Sequence, residues 1–516
     1  ETEHEIDSLV LFSSDAEVES QIVDDAEQQL LSLDTISHHE FLFKISDINE
    51  FEELFFTRIE KLTTDSNHAL ILYNWSQFMS DIQNDESRLA YQGLMSLVKY
   101  IHQRSLQIDV AVLYSRDPSL FYKQSPLIGC VRTAMSEFPE IKIYQIQADI
   151  KETGLLDRVI KDVCSQDDLE IKYDQQTRYV QKVFPYENFA LLPYQLDQQM
   201  CYVIIGGMGG VGRELVTWLT NRSVSQILIL GRSPCSEDYK LIIHSLSEDA
   251  AEIVYHQCDT SDESQLNKEI TWMNEHCSKV AIFHLAGVLR DKAFNEQGWG
   301  DYEYVARSKV HIARNISKIE KALTIPLSCV ILFSSVSSEI GNVGQANYAA
   351  ANCYLDALAE YRTGQGKYTL SINWGEWNGI GMMKNRRTLS LDQSSWASDF
   401  YFCVLFSAIQ MKSSRLIVSN IKLSKFISSF VAHRSRFSPC IKDDASSEDG
   451  ALLRLLLSME LEQREQYLYR HVVNTVARLL GVKDEKTISL EKGFFELGMD
   501  SLMGLQLRSA LQGDLG

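Results

Sequence analysis

The sequence predicts an α/β protein of two doubly wound lobes in series, with a small helical unit behind them. Three observations carry this expectation. Apolar β-type runs alternate with helical-period segments up to about residue 185, and again from Met200. A glycine-rich turn opens the second series but not the first, and a polar stretch at 433–450 separates both from a helical tail. Repeated β-then-α order implies parallel strands joined by crossover helices that cover both faces of a sheet.

In the first series, strands are expected at 8–14, 40–45, 68–75, 108–115 and 141–148. Between them, 22–33, 50–62, 91–105 and 127–137 carry apolar residues at helical spacing. After the first strand stands Ser13-Ser14-Asp15-Ala16, a turn that cannot bring bare backbone against a pyrophosphate, so this lobe is expected to be structural and without a cofactor. The second series predicts strands at 201–205, 226–230, 253–257, 280–285, 329–333, 369–373 and 416–421, with a helix at 211–219. One helical run is expected over 452–480, then a turn leading to Ser501. The expected organisation is a structural lobe at 1–195, a cofactor-binding lobe at 196–432, a linker at 433–450 and a helical unit at 451–516.

Composition narrows the function. The 516 residues carry a formal charge of −21, which argues against nucleic acid and against an anionic membrane surface, since both call for basic patches. No apolar run approaches the ~18 residues of a membrane span, and the first residues lack the basic start and apolar stretch of a secretory signal. Ten scattered cysteines, with no Cys-x-x-Cys pair and no Cys/His cluster at metal spacing, read as reduced thiols. A cytoplasmic chain without a metal site is expected.

Gly206-Gly207-Met208-Gly209-Gly210-Val211-Gly212 follows an apolar strand and opens a helical pattern. Glycines there allow a tight turn, close backbone approach and a helix amino terminus facing a pyrophosphate, the arrangement of a Rossmann dinucleotide site. Gly231-Arg232-Ser233 ends the next strand, about twenty residues on, where an acid would mark NAD. Arg232 there suits a 2′-phosphate and hence NADPH, although an ordinary surface arginine has the same pattern. Asp259, ending the third strand, is either an adenine neighbour or a strand-end cap.

The most specific stretch runs from Phe333-Ser334-Ser335 through Gln345-Ala346-Asn347-Tyr348 to Asn352. It resembles the short-chain dehydrogenase/reductase superfamily, and more narrowly the ketoreductase domains of modular polyketide and animal-type fatty acid synthases. Tyr348 is followed four residues later by Asn352, and the lysine lies upstream as Lys309, the exchange seen in the synthase ketoreductases. His284-Leu285-Ala286-Gly287-Val288 and Ile372-Asn373-Trp374-Gly375 agree with the same family, as does the first-lobe stretch 125–132 with 137–140.

The resemblance implies reduction of a carrier-bound β-ketoacyl thioester to the β-hydroxyacyl thioester. Tyr348 would act as general acid, Ser335 would bind the ketone oxygen, Lys309 would lower the phenol's pKa and Asn352 would order the lysine and a water. Gly206, Gly207, Gly209, Gly210, Gly212, Arg232, Ser233, Asp259, Ala286 and Gly287 would bind NADPH. Ile205 and Glu376 depart from the family's usual threonine and proline. Leu289-Arg290-Asp291 resembles the B-type signature and Ile340 replaces the A-type tryptophan, so Asp291 is the stereocontrol candidate; a solvated loop acid is the plain alternative. Gly498-Met499-Asp500-Ser501-Leu502 resembles an acyl carrier attachment motif, with phosphopantetheine on Ser501; since the chain stops at Gly516, a partial carrier domain is expected. Partners implied are an acyl carrier and neighbouring synthase domains. A non-reducing scaffold and a free-standing short-chain dehydrogenase are the competing readings.

Overall fold

The computed structural model describes residues 8–13, 38–43, 69–74, 85–149, 151–165, 168–186, 189–247, 251–377, 380, 397–419, 434–440, 451–480, 482, 488, 492–494, 496, 497, 499 and 501–515. The expected helices at 22–33 and 50–62, and the turn at 14–16, lie outside the described residues.

Two seven-stranded sheets form the frame. The first holds β1 (Ser8–Ser13), β2 (His38–Phe43), β3 (Ala69–Asn74), β4 (Ile108–Ser115), β5 (Ile143–Ala148), β6 (Glu170–Asp174) and β7 (Thr177–Val180), in the order β2-β1-β3-β4-β5-β6-β7. Its first five strands follow a common doubly wound order. The β6–β7 hairpin is antiparallel and was not expected from the sequence. Its turn is Gln175-Gln176, with Gln175 at φ 56°, and it lacks the Asn-Gly or Asp-Gly pair that usually announces a two-residue turn.

The second sheet holds β8 (Met200–Ile205), β9 (Gln226–Gly231), β10 (Glu252–Gln257), β11 (Lys279–His284), β12 (Leu327–Ser335), β13 (Thr369–Trp374) and β14 (Arg415–Val418). All its pairings are parallel, in the order β10-β9-β8-β11-β12-β13-β14. The chain reverses direction of travel between β8 and β11, so their carboxyl ends border the crevice where such sheets take ligands. The central strands are buried on both faces, which explains their unbroken apolar sequence.

The two lobes share a core. One apolar cluster runs from Tyr73 and Val112 through Cys130, Val131 and Ala134 to Ala350, Tyr354, Ile205 and Leu332. At its centre helix Pro126–Glu137 crosses helix Ala346–Gly364. The crossing is close because Gly129 has no side chain: a Cβ there would lie 2.4 Å from the Ala349 carbonyl carbon.

Two boundaries differ from expectation. The run 452–480 is two helices, Ala451–Leu457 and Leu461–Leu480. Ser458 Oγ donates to Leu455 O (2.7 Å) and Arg464 Nε to Met459 O (2.8 Å), local bonds that compete with a continuous helix. Within the expected linker, residues 434–440 are folded against the first lobe. Val183 N donates to Arg436 O (2.9 Å), and Lys182 Nζ donates to Ser435 O (2.8 Å). Among the described residues no helix is long and apolar enough to cross a membrane, and no cluster of His, Cys, Asp or Glu could hold a metal.

Candidate active site

The glycine turn between β8 and helix Gly210–Thr220 is built by exclusion. Gly206 has φ 88°, and a Cβ there would stand 2.7 Å from Ala286 N. Gly212 permits the helix to touch the turn, since a Cβ would meet Gly207 Cα at 2.6 Å. Gly209 is different: it is exposed, and its Cβ would meet only Gly206 O, at 3.4 Å. Gly209 caps the helix without any side-chain hydrogen bond, so the first-turn N–H groups face an open cradle. That arrangement fits a pyrophosphate.

Two tyrosines that sequence reasoning missed brace this region. Tyr239 Oη donates to Gly207 O (3.0 Å), and Arg213 stacks on its ring while Arg213 Nε donates to Met208 O (2.9 Å). Tyr255 Oη donates to Gly231 O (3.0 Å) and also reaches Ser233 O, fixing the turn on which Arg232 stands exposed. No sequence periodicity marks either hydroxyl. Asp259 accepts from Ser261 Oγ (2.6 Å) and Ser261 N (3.1 Å), and pairs with Arg307 at 3.2 Å. Burial pulls its carboxyl up, but these partners outweigh that and hold it below the ordinary value. The turn-capping reading thus accounts for its contacts within the protein.

The candidate catalytic side chains meet beyond the ends of β11 and β12. Ser335 is the last residue of β12, paired in register with Trp374. Tyr348 and Asn352 lie one turn apart on helix Ala346–Gly364, where Asn352 Nδ2 donates to Tyr348 O (2.9 Å). Lys309 sits in a π-helical turn, Arg307–His311, a geometry often found at functional sites. Its Nζ donates to Phe333 O (2.9 Å) and lies 5.2 Å from the centre of the Tyr348 ring. Gly287 makes room for it, as a Cβ there would be 3.0 Å from Lys309 Cε. His284 Nε2 hydrogen-bonds Lys309 O (3.0 Å) and steadies the turn.

Burial dominates the electrostatics. It pushes the Tyr348 phenol up to about 12, against hydrogen bonds from Asn352 and Ser335 that pull it down. It pulls Lys309 down to about 7, opposed by the buried Asp356 carboxylate. The expected lowering of the phenol by a neighbouring ammonium is not found: burial raises Tyr348 and depresses Lys309, and the downward pull on the phenol comes from Asn352 and Ser335. Asp356 itself accepts from Ser371 Oγ (2.6 Å), Asn373 Nδ2 (2.6 Å) and Ser338 Oγ (2.7 Å), a network under the segment that joins β12 to the Tyr348 helix.

Asp291 is brought to the same place, where Gln345 Nε2 donates to its Oδ2 (2.9 Å). Its neighbours Arg290 and Lys292 are drawn away by Asp301, each at 2.8 Å. Ile340 is buried against the first lobe, with Ser136 Oγ donating to its carbonyl (3.2 Å). Arg132 approaches from that lobe as well: its Nη1 donates to Ser338 O (2.6 Å), and its fork grips Glu170 at 2.7 and 2.6 Å.

Residues 200–379 match the family described as "KR domain", and residues 470–516 match "Phosphopantetheine attachment site". The second lobe is thus similar to the ketoreductase domains of polyketide synthases. The chain is 26% identical over 332 residues to polyketide synthase GfsA of Streptomyces halstedii, covering 61% of this chain and 4% of that protein. It is 28% identical over 314 residues to polyketide synthase PksN of Bacillus subtilis, covering 58% and 6%. The chain therefore spans a small fraction of the curated relatives it matches. In fold, the chain resembles the first ketoreductase of the tylosin synthase (TM-score 0.67, 21% identity, 84% of this chain and 94% of that one). It also resembles a C2-type ketoreductase of a modular polyketide synthase (TM-score 0.71, 16% identity, 84% and 93%). The attachment-site match includes Ser501, which opens helix Ser501–Leu515. Met499 and Leu507 there pack with Val476, Ala477 and Leu479 of the preceding helix.

Proposed function

We propose that the ketoreductase lobe reduces a β-ketoacyl thioester, presented on an acyl carrier, to the β-hydroxyacyl thioester with NADPH. The observation that carries this reading is the convergence of Tyr348, Ser335, Asn352 and Lys309 beside an open glycine cradle at the sheet's switch point. NADPH, when bound, supplies the hydride.

The chain's own residues do the rest. Gly206, Gly207, Gly209, Gly210 and Gly212 admit the pyrophosphate to the helix amino terminus, with Ala286 and Gly287 lining the nicotinamide side. Arg232 and Ser233 take the 2′-phosphate, and Asp259 with Arg307 borders the adenine end. Ser335 holds the ketone oxygen, and Tyr348, a phenol that is protonated at neutral pH and that burial raises further, delivers a proton to that oxygen as negative charge develops there. Lys309 and Asn352 order the phenol and its proton supply. Asp291 selects the face that gives the B-type alcohol. Phosphopantetheine on Ser501, in the complete synthase, carries the acyl chain among neighbouring domains.

NADPH absorbance followed with a short β-ketoacyl thioester tests the reading. Turnover with NADPH, little with NADH, and a loss of ~10²–10⁴-fold in Tyr348→Phe is the expected result. NADPH binding without turnover would favour a scaffold instead.

A further inference from the structure

We propose that Glu137, on the lobe without a glycine turn, is a positioning residue of the reductase that sets the spacing of the two loops flanking the ketone site. Its carboxylate is fully buried and serves one loop with each oxygen. Oε2 accepts from Phe294 N (2.8 Å) and Oε1 from Gly344 N (2.8 Å). Phe294 belongs to the loop that leaves β11 with Gly287 and Asp291; Gly344 belongs to the loop that enters the Tyr348 helix.

Above this anchor the loops are laced together. Gly344 O accepts from Lys292 N (3.0 Å) and from Gln297 Nε2 (3.0 Å). Asn347 N donates to Gln297 Oε1 (3.1 Å), and Asn347 Nδ2 to Arg290 O (2.8 Å). The Asp291–Gln345 bond closes the set at the edge of the catalytic group. These bonds span the same two loops that Glu137 holds from below.

The residue type fits this task and not a plain helix end. Only a carboxylate offers two equivalent acceptors; a glutamine would turn an N–H₂ toward one backbone N–H and leave it buried without an acceptor. Burying a carboxylate is costly, and burial pushes Glu137 up to about 7 against the pull of the two N–H groups and of Arg508. A helix terminus that only needed packing would be better filled by an apolar residue.

The inference rests on the reductase reading for its kinetic consequence, while its structural consequence can be measured separately. Hydrogen–deuterium exchange on the full chain would compare wild type, Glu137→Gln and Glu137→Asp, with segment 200–220 as the internal reference. The expected result is exchange about tenfold faster across 287–298 and 341–347, with the reference unchanged. Wild-type exchange in both loops of a folded variant would overturn the proposal. If Glu137→Gln does not fold, Glu137→Asp decides alone, because it keeps the charge and withdraws both oxygens by one methylene. In turnover assays the glutamine variant should raise KM for the thioester and erode the product's enantiomeric excess while the NADPH Kd stays as in wild type. A uniform loss of folded enzyme, with KM and product hand unchanged, would show a merely structural role. A wild type that fails to turn over removes the reductase reading and leaves the exchange result standing.

Discussion

Replacing Gly129 with alanine places one methyl group on the first lobe against the backbone that carries Tyr348. The added Cβ would stand 2.4 Å from the Ala349 carbonyl carbon, 2.5 Å from its oxygen and 2.5 Å from Ala350 N. Carbon–carbon contact is relaxed at about 3.5–4.0 Å, so the two helices must part by about 1 Å. Both are backbone-rigid at this point, and no flexible side chain can yield in their place. Overpacking of this kind costs about 1–3 kcal/mol of stability. The larger effect is kinetic, since a displacement of about 1 Å at catalytic groups can cost about 10²-fold in rate. Tyr348 and Asn352 would move with the helix, whereas the glycine turn on β8 lies on another element. The expected phenotype of Gly129→Ala is therefore a folded protein that binds NADPH normally and reduces thioester about 10²-fold more slowly. Thermal melting, NADPH titration and kcat/KM measure the three quantities. Wild-type kcat/KM in a folded variant would refute the claim that this crossing sets the position of the catalytic helix.

Two more outcomes arise from charges held in dry surroundings. Lys309 is depressed from 10.5 to about 7 in the folded state, so between those values the unfolded chain holds a proton that the folded one has released. Stability contributed by this group is complete above 10.5 and is lost as pH falls through about 7; at about 1.36 kcal/mol per pKa unit the span is up to about 5 kcal/mol. Lys309→Met should flatten that part of the stability–pH curve in denaturant titrations while abolishing reduction, and an unchanged slope would count against the assignment. Arg436→Met removes one of the two guanidinium groups that bridge Glu339 and Glu170 and leaves Arg132 as the other, so it should cost about 1–3 kcal/mol in the same titrations; a change below about 0.5 kcal/mol would show that the contact is dispensable.

The legible part of the molecule was local. The alternation of apolar strands with helical segments, and the glycine run after Ile205, depend on neighbours in sequence, and the second sheet follows them strand for strand. The spacing of Ser335, Tyr348 and Asn352 was equally legible because one strand end and one helix carry all three. The features that escaped notice act across distance. Glu137 and Gly344 are 207 positions apart, and Arg132 and Ser338 are 206 apart; no periodicity connects them. The hydroxyls of Tyr239 and Tyr255 were hidden within amphipathic segments that explain their rings but not their polar ends. The β6–β7 hairpin was missed because glutamines occupy its turn.

The docking of residues 434–440 alters where the second lobe can be separated from the chain beyond it. Arg436 Nη1 donates to Glu339 O (2.5 Å), and its guanidinium also pairs with the Glu339 carboxylate, in the segment that joins β12 to the Tyr348 helix. A cut at the apparent end of the second lobe would strip this cation from a loop more than ninety positions away. In recombining such a lobe with foreign neighbours, the donor's own segment through residue 440 belongs with the lobe, and the interchangeable part of the tether begins after it.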